Sequence, residues 1–117
     1  MQLNIRKLNE ADWATLKSWW NKWDDWEAPP KDFLPDNGTC GFIVEKNKLP
    51  IVAGFIYFTN SKAALLEWIV SNPEYKQSDR QEGIEYLINS CEAIIKEHGF
   101  KYIFSICLLY TSPSPRD

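Results

Sequence analysis

Apolar and polar positions alternate along Leu3-Asn4-Ile5-Arg6-Lys7-Leu8, which predicts a first strand with Leu3 and Ile5 on one face. The period then becomes helical. Asn9 is placed to cap a helix starting at Glu10, with Glu10 and Asp12 in the first turn, where the helix dipole favours acids. Trp13, Leu16, Trp20 and Trp23 follow at spacings of three, four and three and predict a core-facing stripe, with Trp19 and Trp26 on its flank. Pro29-Pro30 ends this region. Lys31 to Pro35 predicts a short helical turn, and Asp36 to Thr39 a loop. A hairpin follows: Cys40 to Glu45 and Ile51 to Thr59 are its strands, joined by Lys46 to Pro50. Gly54 inside the second strand marks a bulge or a close backbone approach.

From Ala64 to His98 the pattern predicts a buried strand (Leu65 to Val70), a connector (Ser71 to Gln77) and an amphipathic helix (Asp79 to His98). Ser78 with Gln81 fits a capping box. Ile84, Leu87, Ile88, Cys91, Ile94 and Ile95 form one apolar face, and Gly99 is a stop. His98 reads as a helix-end residue near the last carbonyls. Phe100 to Ile106 predicts a fifth strand, parallel to the fourth through a right-handed crossover. The fold class is therefore α/β in the broad sense, a mixed α+β sheet with element order β-α-α-β-β-β-α-β.

Composition narrows the picture only slightly. The chain has 117 residues, room for one domain with a core of its own. Its net charge is −3 and no Lys/Arg stripe is visible, so nucleic acid is not an expected partner. No apolar run is long enough to span a bilayer and no signal-peptide core is present, so the expectation is a cytoplasmic protein without a membrane partner. Cys40, Cys91 and Cys107 are scattered and form no CxxC, so neither a disulfide frame nor a metal site is expected. Residues 107–117, CLLYTSPSPRD, resemble the in-frame translation of a transposase sequencing adapter. The expectation is that residues 1–106 are the natural part and that 107–117 are foreign.

A strand, a polar loop and a helix in sequence make a common anion site, because the helix start offers free N–H groups and the positive end of its dipole. Gly83 lies near the first turn of that helix, where glycine costs about 1 kcal/mol relative to alanine. Arg80 lies in the same turn, where a cation opposes the dipole. An anion above the turn would account for both. Tight packing of Gly83 on the sheet and a solvated Arg80 would do so equally well. Trp19, Trp23 and Trp26 are either packing residues or the lining of a substrate groove. Asp24 and Asp25 beside them are either solvated or hold a cationic amine.

The element order, with Ile5-Arg6-Lys7-Leu8, Gly54-Phe55-Ile56, Leu66 to Tyr75, Arg80 to Gly99 and Phe100 to Phe104, resembles the GNAT superfamily of N-acetyltransferases over residues 2–106. The resemblance implies a fold lacking that family's last helix and two strands. The family's phosphate loop, Arg/Gln-x-x-Gly-x-Gly/Ala, is matched by Arg80 and Gly83, whereas Glu85 stands at its third place. By resemblance the cosubstrate is acetyl-CoA. The backbone of Ile69 and Val70 would pair with its pantetheine arm, and the amides of Arg80, Gln81, Glu82, Gly83 and Ile84 would hold its pyrophosphate. Glu67 is the only carboxylate in the fourth strand; it is either the base for the attacking amine or a solvent-facing side chain.

Three functions are compatible with this reading: an acyl-CoA-dependent N-acetyltransferase present as an inactive fragment, a non-catalytic acyl-CoA-binding or protein-interaction module of the same fold, and an unrelated small α/β binding domain. The acceptor expected for the first is a small-molecule or protein amine, cationic or amphipathic.

Overall fold

The computed structural model describes residues 3–23 and 28–105. Trp26, Asp24, Asp25, Ile106 and the 107–117 tail lie outside them. Five strands form one mixed sheet in sequence order: β1 (Leu3–Lys7), β2 (Gly41–Lys46), β3 (Leu49–Phe58), β4 (Ala63–Ser71) and β5 (Tyr102–Phe104). Each of the first three neighbouring pairs is antiparallel, and β4–β5 is parallel. Helix α1 (Trp13–Lys22) covers one face and α2 (Gln77–Glu97) the other.

The two faces have separate cores. Leu16, Trp19 and Trp20 of α1 pack with Leu8, Leu34, Ile43, Ala53, Phe55 and Val70. Leu87, Ile88, Cys91 and Ile95 of α2 pack with Val44, Ile51, Val52, Ile56, Ala64 and Leu66. Burying each such Leu or Ile contributes about 1.5–3 kcal/mol. The central strand, β3, is therefore covered on both sides, which is why Ile51 to Ile56 is an unbroken buried run. Burial in the core corrects the reading of Trp19 as a flank residue: at 5% exposure it belongs to the α1 core, because the buried stripe is two residues wide at Trp19-Trp20.

The helical region opens where the sequence predicts, as a 3-10 turn (Glu10–Asp12) that leads into α1 at Trp13. The Asn9 side chain accepts from the Ala11 amide, and the Asp12 carboxylate accepts from the Asn9 amide, a reciprocal cap. Arg6 of β1 adds a two-pronged contact to Asp12, at 2.9 Å on each oxygen, and a third bond to Glu45 at 3.1 Å. The Arg6 hydrogen bond holds the Asp12 carboxyl below the usual carboxylate range, against the opposing effect of burial.

The start of α2 departs from the sequence reading. The helix begins at Gln77, two residues before the expected Asp79, with Lys76 at the N-cap and no side-chain cap, so Ser78 and Gln81 form no capping box. Ser78 sits inside the first turn. The other end agrees: His98 is the C-cap, its ring bonds the Ile94 carbonyl at 2.8 Å, and Gly99 takes φ +89°. Within the described residues β5 is shorter than expected, three residues rather than seven.

Candidate functional site

The sheet is irregular where β4 leaves its neighbours. On one side Ala53 pairs with Val70 and Phe55 with Glu67, so Gly54 alone stands opposite both Trp68 and Ile69. This is a bulge on β4, and Trp68 adopts φ +58°, a left-handed conformation rare for a bulky residue. Gly54 answers the bulge: a Cβ there would meet Leu87 at 3.1 Å and Ile69 at 3.2 Å. Extra length on β4 also breaks the alternation of faces. Leu66 and Ile69 pack on the α2 side, whereas Trp68 and Val70 pack on the α1 side. Glu67 stands opposite Phe55 and so shares the α1 face with Trp68. The Trp68 ring meets Trp20 and Phe33 edge-on, at 6.3 and 5.8 Å between centroids.

On its other side β4 pairs with β5 only from Ala63 to Leu65. From Leu66 to Ser71 no strand among the described residues lies along that edge, which leaves a row of β4 backbone groups open beside the bulge. Ile69 and Val70 belong to this open stretch.

A tight connector then carries the chain into α2. The Asn72 amide bonds the Ile51 carbonyl at 2.6 Å, its side-chain nitrogen bonds the Pro50 carbonyl, and its side-chain oxygen accepts from the Glu74 amide. Asn72-Pro73 thus makes an Asx turn, a signal present in the sequence. Arg80 reaches back over the connector, donating to the carbonyls of Tyr75 at 2.6 Å and Pro73 at 3.3 Å, with its guanidinium carbon 5.3 Å from the Trp23 ring centre.

The helix start alters the expected anion site. The Arg80 amide donates to the Lys76 carbonyl, so it and the amides of Gln81, Glu82, Gly83 and Ile84 belong to the helix ladder. The uncommitted donors are those of Gln77, Ser78 and Asp79. The Asp79 carboxylate beside them is paired with Lys46 at 3.3 Å. Gly83 is buried against β3: a Cβ would meet Ile51 Cγ2 at 3.1 Å and Val52 Cγ1 at 3.2 Å. Its smallness has a packing cause. Ile51 and Val52 both turn toward α2 because a second irregularity, between Val44 and Glu45, leaves Ile51 unpaired on β3. Gln81, Glu82 and Glu85 are exposed, and Ile84 packs at the edge of the α2 core. Glu85 is eight residues beyond Gln77, about 12 Å along the axis, so its charge is remote from the helix start.

The expected acceptor tryptophans separate. Trp23 donates its indole N–H to the Ser71 carbonyl at 2.9 Å, at the end of β4. Trp19 is core, with one edge on an open cleft of about 360 Å³ between α1, Pro50 and the connector residues Asn72 and Glu74. Among the described residues no cluster of three or more His, Cys, Asp or Glu could hold a metal, and no helix is long and apolar enough to cross a membrane.

Solved structures share this arrangement. The ribosomal-protein-S18-alanine N-acetyltransferase of Escherichia coli superposes with a TM-score of 0.66 at 16% identity, over 89% of this chain and 66% of that one. The fold is that of the GNAT N-acetyltransferases. N-acetylglutamate synthase from Neisseria gonorrhoeae, complexed with coenzyme A and L-arginine, gives 0.72 at 11% identity, over 88% of this chain and 24% of that one. An aminoglycoside acetyltransferase from an uncultured soil metagenomic sample, complexed with sisomicin, gives 0.62 at 14% identity, over 98% and 88%. The GNAT-fold chain thus spans just under two thirds of the first of these proteins and about a quarter of the second. No family model and no curated protein sequence matches it.

Proposed function

We propose that the protein is an acyl-CoA-dependent N-acetyltransferase acting on an amine. The observation that carries this reading is the β4 bulge at Trp68, followed by a β4 edge that has no partner strand among the described residues and leads directly to an uncapped helix start. The residues present fit a coenzyme A thioester at both ends of that path. Gln77, Ser78 and Asp79 offer backbone donors and a positive dipole end for phosphates, and Ile69 and Val70 lie on the strand edge suited to an amide-bearing arm.

Acetyl-CoA supplies an activated acyl thioester. The chain's own part is to bind, orient and move one proton. An alkylamine is protonated at neutral pH and attacks only after losing that proton. Glu67, beside the bulge on the α1 face, is our candidate to accept it. Holding the partners in line and offering backbone donors to the oxyanion would supply the rest. The neighbour complexed with sisomicin supports a cationic acceptor.

One observation favours the non-catalytic reading: Trp23 and Arg80 already engage the Ser71, Pro73 and Tyr75 carbonyls at the mouth of the site. The enzyme reading assigns residues 1–106 to an acetyltransferase and 107–117 to foreign sequence, so the 117-residue chain is expected to turn over weakly or not at all. Calorimetric titration with acetyl-CoA, of this chain and of the protein read from its gene without the tail, followed by turnover over a panel of amines, separates the readings. Binding with turnover supports the enzyme, binding without turnover supports the module, and no binding to either protein removes both.

A further inference from the structure

The end of α1 is tied to the mouth of the site by contacts that the acetyl-transfer reading does not require. The Trp23 indole N–H satisfies the carbonyl of Ser71 at 2.9 Å, a residue that pairs with Val52 of β3 and has no β5 residue opposite it among the described residues. The same ring receives the Arg80 guanidinium on its face, 5.3 Å from the centroid. Arg80 in turn clasps the carbonyls of Pro73 and Tyr75. A Lys22–Glu74 pair at 2.9 Å spans the same gap but is exposed at both ends and adds little. One aromatic side chain at the C-cap of α1 therefore touches both the last residue of β4 and the arginine that shapes the connector into α2.

We propose that Trp23 is a positioning residue: through Ser71 and Arg80 it sets the conformation of the Asn72–Lys76 connector, and hence where the free amides of Gln77 to Asp79 point. The proposal rests on the acetyltransferase reading only for the identity of the ligand those amides hold. It links the C-cap of α1 to the connector that meets the cofactor. A change at either place is transmitted by one ring with two distinct handles, its N–H and its face.

The two handles can be removed separately. Trp23→Phe keeps an aromatic face for Arg80 and deletes the N–H. Arg80→Gln keeps the N–H contact and deletes the cation together with its bonds to the Pro73 and Tyr75 carbonyls. Hydrogen exchange followed by mass spectrometry on the 117-residue chain reads the connector directly, because the Glu74 and Tyr75 amides are hydrogen-bonded within it. Losing one net hydrogen bond should speed their exchange about fivefold in Trp23→Phe, and losing both carbonyl bonds should speed it further in Arg80→Gln, with the β2–β3 hairpin unchanged. The double variant should exchange no faster than about the less protected single, Arg80→Gln, since both act through one latch. Independent, multiplicative effects, or wild-type exchange in Trp23→Phe, would overturn the proposal. If Trp23→Phe fails to fold, Trp23→benzothienylalanine, which keeps the shape of the ring and deletes only the N–H, carries the same test. Coenzyme A titration adds the readout that a merely structural role would leave still: its Kd should rise about fivefold in Trp23→Phe at temperatures where both proteins are folded. A loosened connector with unchanged Kd would refute the positioning role. A wild-type protein that binds no coenzyme A would refute the acetyltransferase reading, while the exchange data would still decide whether the latch exists.

Discussion

Replacing Gly83 by alanine separates two reasons for a glycine at this place. Helix propensity alone favours the change by about 1 kcal/mol. Packing opposes it, since the new Cβ would stand 3.1 Å from Ile51 Cγ2 and 3.2 Å from Val52 Cγ1. Carbon atoms prefer roughly 3.5–4.0 Å, so α2 or β3 must yield by about half an ångström. Both neighbours have 0% exposure, lie on the doubly covered central strand and are β-branched, so neither can rotate away cheaply. Overpacking of this kind costs typically 1–3 kcal/mol, which exceeds the propensity gain. The expected outcome is a net loss of about 1 kcal/mol, or roughly 4 °C in Tm for a domain of this size. Urea unfolding should show a lower midpoint with an unchanged slope. Coenzyme A affinity, measured well below Tm, should stay within about twofold, because Gly83 faces β3 and not the helix start. A Gly83→Ala protein that is more stable than the wild type, or one equally stable that binds coenzyme A tenfold more weakly, would refute the packing explanation.

Other outcomes follow from the same contacts. Asp12→Asn removes the charge that Arg6 clasps; because the Asp12 carboxyl is held low when folded, its stabilisation is complete above its unfolded value of about 3.9 and disappears as pH falls through the folded value. The variant should be less stable by about 1–3 kcal/mol at pH 7, toward the lower end because Arg6 is partly exposed, and should converge on the wild type once pH has fallen below the folded value; parallel stability–pH curves would contradict this. Burial pushes the Cys91 thiol up to about 12, so alkylation located by mass spectrometry should leave Cys91 unmodified until the protein unfolds. On the acetyltransferase reading, Glu67→Gln in the protein read from its gene should lower kcat by about 10²–10⁴-fold with little change in the KM for acetyl-CoA, and wild-type kcat would place the base elsewhere.

Much of the fold was legible because local chemistry and long-range packing agree. The 3.6-residue period of α2 names the residues that meet β3, and Leu87, Ile88, Cys91 and Ile95 are all buried there. The Asn9 cap and the hairpin strands follow for similar local reasons, and the turn between those strands closes through Asn47 and Lys48, both at positive φ. The site was less legible. A tryptophan at φ +58° contradicts its own residue preference, so no propensity argument points to the Trp68 bulge, and only Gly54 across the strand hints at it. The start of α2 moved because Asn72 shapes the connector and Arg80 clasps it, contacts that cannot be weighed before the strands are placed. Ser78 has the right side chain for a cap but arrives two residues late. Trp23 reads as one more ring in a helical stripe, and its bond to Ser71 spans 48 residues of sequence.

The bulge has a consequence for how β4 would respond to losing a residue. Without Trp68, the order Leu66, Glu67, Ile69, Val70 alternates cleanly between the α2 and α1 faces, each side chain keeping the side it already occupies. Trp68 is in this sense an insertion that leaves the parity of its strand untouched. A one-residue deletion in a buried strand ordinarily turns half of it inside out; here it would straighten the ladder and remove a left-handed residue that costs roughly 1–2 kcal/mol. What would be lost is the contact of its ring with Trp20 and Phe33, and the kink by which a regular strand ceases to be regular beside its open edge.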